Sequence, residues 1–253
     1  MGTTGLPMGL TSETSIERDK MSELTGRNIL VVGASGALGA EFVRQLTAQG
    51  ASVIATSSSS ESASRIPAEA ASKFVLNLED QRSIREFADH LTDAGVTLDG
   101  VVLATGLVAF GLAAETPIAI TERLMKVNFL GQVSAVSSLL PILEQSAEAN
   151  REPFVVSISG VIAETPMAGL SSYSASKTAL HGYATAATRE LRRAGIRWID
   201  ARPGHTETGL AGRAIFGVAP AFGAGLKTED VVARIVRAIK EDEKDLPSGS
   251  FSA

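Results

Sequence analysis

The chain of 253 residues contains no cysteine. Disulfides, a cysteine nucleophile and a thiolate metal site are excluded, and the composition fits a reducing, cytoplasmic compartment. Histidine is scarce: His90, His181 and His205 are the only three, and their spacing matches no zinc site. A basic surplus is missing too. Lys and Arg number 23 against 28 Asp and Glu, and the net charge of −5 has the wrong sign for a general nucleic-acid binder. No run approaches the roughly 18 apolar residues that span a bilayer, so no membrane partner is expected. Residues 1–20 have neither an apolar core nor a basic start, so they make a poor signal peptide. The sequence contains no G-x-S-x-G elbow of a serine hydrolase and no G-x-x-x-x-G-K-[ST] phosphate loop.

What is present is an ordinary globular composition, 44% hydrophobic and 20% charged, on a chain long enough for one large core. Short apolar runs at 28–33, 52–56, 73–78, 100–104, 153–159 and 196–202 read as strands. Between them lie helical patterns over 37–49, 121–145 and 172–193, with a loop and short helix over 57–72. Asp80 is placed to cap a helix carrying Ile84, Phe87, Ala88 and Leu91. Thr228 is placed to cap a last one with Val231, Val232, Ile235, Val236 and Ile239 inward. The tail after Lys240 is polar and short, which makes a seventh strand doubtful. Strands without polar alternation, separated by helices, imply a parallel sheet covered on both faces. The expected fold class is α/β: a single-domain, doubly wound, Rossmann-like sheet over residues 23–253. Residues 1–22 read as a flexible extension, and Met21 as a possible second start.

Gly33-Ala34-Ser35-Gly36-Ala37-Leu38-Gly39 joins the first strand to the first helix. Glycines there permit a tight turn and let the backbone, with Ser35 and Leu38 beside it, approach a dinucleotide pyrophosphate at a helix N-terminus. After the second strand an NAD enzyme usually carries an acid for the ribose 2′-hydroxyl. This chain has Ser57 and Ser58 instead. With no carboxylate to repel a 2′-phosphate, NADP is favoured over NAD, and Arg65 is a further candidate for that phosphate.

Tyr173-Ser174-Ala175-Ser176-Lys177 opens the second long helix. Residues i and i+4 share a helix face, roughly 6 Å apart at Cβ. A free phenol with a pKa of about 10 is a poor acid or base at neutral pH. A nearby ammonium favours the phenolate and is expected to lower that value. Such a pair can exchange a proton with a carbonyl oxygen as hydride moves.

Taken together, these residues resemble the short-chain dehydrogenase/reductase family from about Leu24 to Lys240. The glycine turn, Asn128 in Met125-Lys126-Val127-Asn128-Phe129, the Tyr173/Lys177 pair and Arg202-Pro203-Gly204-His205-Thr206-Glu207-Thr208 stand in family order. The resemblance implies a nicotinamide-dependent oxidoreductase with Tyr173 as general acid/base. It implies that Lys177 lowers the phenol's pKa and bonds the nicotinamide ribose, and that Asn128 holds a water linking the lysine to solvent. Pro203, Gly204 and Thr206 would line the nicotinamide, with Thr208 near its carboxamide or the pyrophosphate. A small-molecule substrate and a homodimer or homotetramer are implied as well.

Four positions depart from the family pattern. The usual serine thirteen residues before the tyrosine is Gly160, with Ser159 beside it as the candidate replacement. The glycine spacing is GxxGxxG, closer to the epimerase-like branch. The usual Asn-Asn-Ala-Gly is Leu103-Ala104-Thr105-Gly106, in which Ala104 and Gly106 still stand at the cofactor positions. The usual acid near adenine is Asn77, followed by Leu78. An apolar segment, 209–226, reads as a flexible substrate lid carrying Arg213, which suggests a hydrophobic carbonyl or secondary alcohol. Two other readings stay open: an epimerase or dehydratase, and a nucleotide-binding sensor that has lost turnover.

Overall fold

The computed structural model describes residues 24–251, so the expected extension over 1–22 lies outside the described residues. Its centre is a seven-stranded sheet. The strands are β1 Asn28–Val32, β2 Ser52–Ser57, β3 Ser72–Val75, β4 Gly100–Leu103, β5 Phe154–Ile158, β6 Arg197–Ala201 and β7 Asp245–Leu246. They lie in the order β3-β2-β1-β4-β5-β6-β7, every neighbouring pair parallel. The helices are α1 Ala37–Ala48, α2 Ser60–Ala63, α3 Gln81–Asp93, α4 Ile118–Met125, α5 Gly131–Glu148, α6 Ser171–Leu191 and α7 Thr228–Lys240.

Parallel strands demand cover on both faces, because each strand turns apolar side chains both ways. One face is sealed by Phe42, Val43 and Leu46 of α1 and Val232, Ile235 and Ile239 of α7. The other is sealed by Ile84 and Leu91 of α3, Val136 and Leu139 of α5 and Ala184 of α6, with Trp198 of β6 fully buried among them. This is the doubly wound α/β architecture that the alternation of patterns implies.

Several local expectations need correction. The doubtful seventh strand exists. It holds only two residues, and its stability comes from outside itself. Arg202 donates its backbone N–H to Leu246 at 2.9 Å, and its guanidinium forks onto Asp245 at 2.7 and 2.8 Å. Thr228 is the first residue of α7 and not its cap; Lys227 is the cap residue, and the Thr228 hydroxyl donates to the Glu207 carbonyl at 3.2 Å. Asp80 does cap α3, accepting from the Arg82 N–H at 2.9 Å. The helix expected over 121–145 is longer. It runs from Ile118 to Glu148 as α4, a π-helical turn over Lys126–Leu130, and α5, with Pro141 in its interior. By length and composition this helix is apolar enough to cross a membrane, which amends the estimate from the sequence, and half of its most apolar window is buried inside the protein.

Candidate active site

In a sheet of this order the connections leave in opposite directions at the β1/β4 junction, and the carboxyl ends of the strands there open onto a crevice. The turn after β1 and the segment after β4 form its lips. Gly33 has φ of 86°, and a Cβ there would sit 2.5 Å from the Thr105 hydroxyl. At Gly39 a Cβ would lie 2.2 Å from the Gly33 carbonyl oxygen. Both glycines are therefore required by packing. Gly36 differs: an added Cβ would meet only the Gly33 oxygen, at 3.4 Å. Gly36 is also the cap residue of α1, and no side chain caps that helix start. Uncapped N–H groups behind an open glycine fit a pyrophosphate.

One cavity of about 260 Å³ gathers much of the expected site. Its walls include Gly36, Leu38, Ala104, Gly106, Ser159, Tyr173, Lys177, Pro203, Gly204, Thr206 and Thr208. Gly33, Ser35, Gly39, Ser57, Ser58, Asn77, Leu78 and Asn128 lie outside these walls. Gly33 and Gly39 shape the turn from behind. Ser57 ends β2 with its hydroxyl donating to the Ser59 carbonyl at 2.9 Å, while Ser58 and Arg65 are exposed. Asn77 accepts from the Glu79 N–H at 2.9 Å, and Leu78 is buried against Gly131.

Tyr173 and Lys177 stand one turn apart on α6 and share the cavity wall. Lys177 is buried, and its ammonium donates to the Ile158 carbonyl at 2.8 Å. A Cβ at Gly106 would lie 3.5 Å from that ammonium and 3.7 Å from Asn128 Oδ1, so the glycine keeps the approach clear. Burial pushes the ammonium down to about 8, opposed by the carboxylate of Asp200. Burial also pushes the Tyr173 phenol up, to about 12. The sequence implied the opposite direction for the phenol. The reason for the reversal is desolvation, which penalises the phenolate in the packed wall of the cavity.

Asn128 sits in the π-helical turn, where the helical hydrogen-bond pattern widens. It is fully buried. Its Nδ2 donates to the Leu107 carbonyl and to the Ser176 hydroxyl, both at 2.9 Å, and its Oδ1 accepts from the Leu107 N–H at 2.8 Å. The amide thus ties the post-β4 segment to α6.

The Ser159 hydroxyl, the candidate replacement for a serine at 160, donates to Asp200 Oδ2 at 2.6 Å. Gly160 itself has φ of 78°, and a Cβ there would meet only the Pro203 carbonyl at 3.7 Å. Asp200 also accepts from Ser157 at 2.6 Å and from His181 Nδ1 at 2.8 Å, and Arg202 Nη1 lies 3.3 Å away. Sequence reasoning missed this buried cluster. One signal was available: His181 continues the Tyr173, Lys177 stripe by another four residues.

The rest of the cavity is mostly apolar: Val108, Phe110, Ile162, Met167, Leu170, Leu210, Ala211 and Phe222, with Thr105, His205 and Arg213 as further polar lining. Leu210, Ala211, Arg213 and Phe222 of the 209–226 segment roof it, but the segment is pinned by backbone bonds where a flexible lid was expected. Backbone bonds stitch this roof down, Phe110 N–H to Phe216 O and Ile215 N–H to Val108 O, each 2.9 Å. Phe222 stacks on His205 with ring centres 4.6 Å apart.

Comparison with known proteins agrees with this geometry. The family model described as short chain dehydrogenase matches residues 27–215. A Dehydrogenase/reductase SDR family protein 7-like from Anopheles gambiae is 27% identical, over 91% of this chain and 77% of its own. The Cyclic-di-GMP-binding biofilm dispersal mediator protein of Escherichia coli is 30% identical, over 74% of this chain and 76% of its own. Among solved structures, a short chain dehydrogenase from Burkholderia cenocepacia in complex with NADP superposes with a TM-score of 0.76 at 20% identity, covering 90% of each chain. The 3-ketoacyl-(acyl-carrier-protein) reductase of Brucella melitensis complexed with NADH gives 0.79 at 19% identity, over 90% of this chain and 100% of its own. The chain belongs to the short-chain dehydrogenase/reductase family of NAD(P)-dependent oxidoreductases.

Proposed function

We propose that the chain reduces an apolar ketone or aldehyde with NADPH, or runs the reverse alcohol oxidation, with Tyr173 moving the proton. The nicotinamide, when bound, supplies or accepts the hydride. The uncapped start of α1 with Gly36 would hold the pyrophosphate, Ser57 and Ser58 the 2′-phosphate, and Asn77 and Leu78 the adenine. Ala104, Gly106, Pro203, Gly204, Thr206 and Thr208 would border the nicotinamide half. Tyr173 gives its proton to the carbonyl oxygen. A phenol held protonated by burial suits the reducing direction. Lys177 faces the same space past Gly106 and offsets the charge left on the phenol oxygen. The apolar walls exclude water and select a hydrophobic substrate. The reading also places the protein in the cytoplasm, as a homodimer or homotetramer.

The observation that carries this reading is the convergence of Tyr173, Lys177 and the glycine turn on one apolar-walled cavity. The experiment is NADPH and NADH titration followed by a panel of carbonyls, with wild type beside Tyr173→Phe. Tyr173→Phe should bind NADPH like wild type and lose roughly 10²–10⁴ in turnover, the range for a positioned acid. Undiminished turnover by the variant would overturn the assignment. A nucleotide-binding sensor is the second reading, favoured by the engagement of Ser159 with Asp200. It would appear as tight NADPH binding without turnover on any carbonyl.

A further inference from the structure

The Asp200 cluster lies at the carboxyl end of the sheet, directly behind the Tyr173/Lys177 wall. Its geometry is closed. Trp198 Nε1 donates to the Ser157 hydroxyl at 2.9 Å, so that oxygen is an acceptor and its own proton turns to Asp200. Ser159 donates to the other carboxylate oxygen, and His181 Nδ1 joins it there. The two serines flank Ile158, whose carbonyl receives the Lys177 ammonium. Asp200 and Lys177 therefore grip the same three consecutive residues, the end of β5 and Ser159 after it. His181, the outer limb, keeps a side-chain exposure of 30%, while Asp200 keeps 6%.

The remaining charges decide where the field of Asp200 goes. Among the described residues Arg202 is the only guanidinium bonded to it, and Arg202 is shared. It pairs with Glu164 at 2.5 Å and with Asp245 at 2.7 Å, against 3.3 Å for Asp200. Arg202 thus lies closer to Glu164 and Asp245 than to Asp200 and neutralises Asp200 only in part. From α6 the groups facing Asp200 are Lys177 and His181; from β5 and the residue after it they are Ser157 and Ser159; from just past β6 it is Arg202. Lys177 is the buried cation left to balance the carboxylate.

We propose that Asp200 is the positioning residue for Lys177. Its buried carboxylate keeps the lysine ammonium charged beside the active-site cavity, and in doing so it takes the Ser159 hydroxyl out of substrate binding. The Tyr173 phenol then takes the substrate oxygen without help from Ser159, and the space at Gly160 stays open for the substrate. Asp200 touches neither cofactor nor substrate; it acts through Lys177. The catalytic meaning rests on the function proposed above, but the charge coupling does not.

The test is Asp200→Asn, which keeps the shape and removes the charge. Lysine labelled at its ε-carbon reports titration by NMR, and the Lys177 signal is assigned by its loss in Lys177→Arg. The midpoint of Lys177, about 8 in the wild type, should move down in Asp200→Asn. The matching limb of the kcat/KM pH profile should move with it, while NADPH affinity at low pH stays. A Lys177 midpoint that does not move in a folded Asp200→Asn protein overturns the proposal. Should circular dichroism show Asp200→Asn unfolded, Ser159→Ala decides. The carboxylate then stays, loses one donor and turns more of its charge toward the lysine, so the midpoint moves up; a fixed midpoint again overturns it. A lysine midpoint that moves in a protein without turnover would support the coupling and count against the proposed function.

Discussion

Leu107 and Asn128 are bonded twice, N–H to Oδ1 at 2.8 Å and Nδ2 to carbonyl at 2.9 Å, so one side chain replaces a strand partner for the segment after β4. That segment carries Thr105 and Gly106 at the cavity wall, and two buried amides set its course: Asn128, and Gln132, whose Nε2 donates to the Thr105 carbonyl at 3.0 Å. Asn128→Ala leaves the Leu107 N–H and carbonyl and the Ser176 hydroxyl short of a partner. Each such group costs about 1–3 kcal/mol. Urea denaturation should therefore show a loss of at least about 3 kcal/mol, and a loss within experimental error would show that the remaining ties, Gln132 to the Thr105 carbonyl among them, hold the segment without Asn128.

The glycines of the turn separate into two kinds. Gly39→Ala places a Cβ 2.2 Å from the Gly33 oxygen and should lower the melting temperature. Gly36→Ala meets only a 3.4 Å contact, so the fold should melt like wild type while NADPH affinity falls at least about tenfold, the cost of a methyl between backbone N–H groups and phosphate. Thermal melts with and without NADPH distinguish them. Equal melting and equal affinity in Gly36→Ala would place the pyrophosphate elsewhere.

Ser58 is exposed just past the end of β2, and serines rather than a carboxylate occupy positions 57–60 there. Ser58→Asp puts a negative charge where the 2′-phosphate is proposed to sit. NADPH affinity should fall by about tenfold or more relative to NADH, since like charges a few ångström apart near a surface cost several kcal/mol at most. Competitive titration of the two cofactors measures the ratio. An unchanged ratio would move the phosphate site away from this serine.

Lys177 links pH to stability. Its folded midpoint, about 8, lies below the ordinary lysine value of 10.5. Between those values the unfolded chain binds more protons than the folded one, so stability rises with pH across that window. The full gain is of order 3 kcal/mol at 1.36 kcal/mol for each unit. Tyr173 acts oppositely and higher: its phenol moves from 10 to about 12, so its contribution is lost as pH rises through that range. Lys177→Met should remove the pH-dependent gain between 8 and 10. Denaturation at stepped pH checks this, and a parallel curve for the variant would refute it.

What could be read from the sequence follows from how local each signal is. The core strands were legible because a parallel strand must be apolar on both faces, as in Asn28–Val32. Tyr173 and Lys177 were legible because helix spacing places them together and their helix follows the fifth strand of a dinucleotide fold. β7 was not, since Asp245–Leu246 gains its partners from Arg202, 43 residues away. The π-helical turn looks like ordinary helix until its hydrogen bonds are drawn. Asp200 reads as an odd acid in an apolar strand. Its donors arrive through the register that sets it beside Ser157 and through the packing of α6, and neither is written in the strand itself. The phenol's direction also escaped, because spacing reveals a neighbour but not how much water surrounds it.

The roof over the apolar compartment is fastened by main-chain atoms, Phe110 to Phe216 and Ile215 to Val108, at 2.9 Å each. Main-chain fastenings are indifferent to side-chain identity, apart from Gly217, where a Cβ would collide with the Phe110 carbonyl at 1.7 Å. Phe222, stacked on His205, and Arg213, which donates to the Thr208 carbonyl at 3.3 Å, also help hold the loop, whereas Leu210 and Ala211 can be exchanged without rerouting it. An engineer seeking a new substrate range has two adjustable positions on a fixed frame.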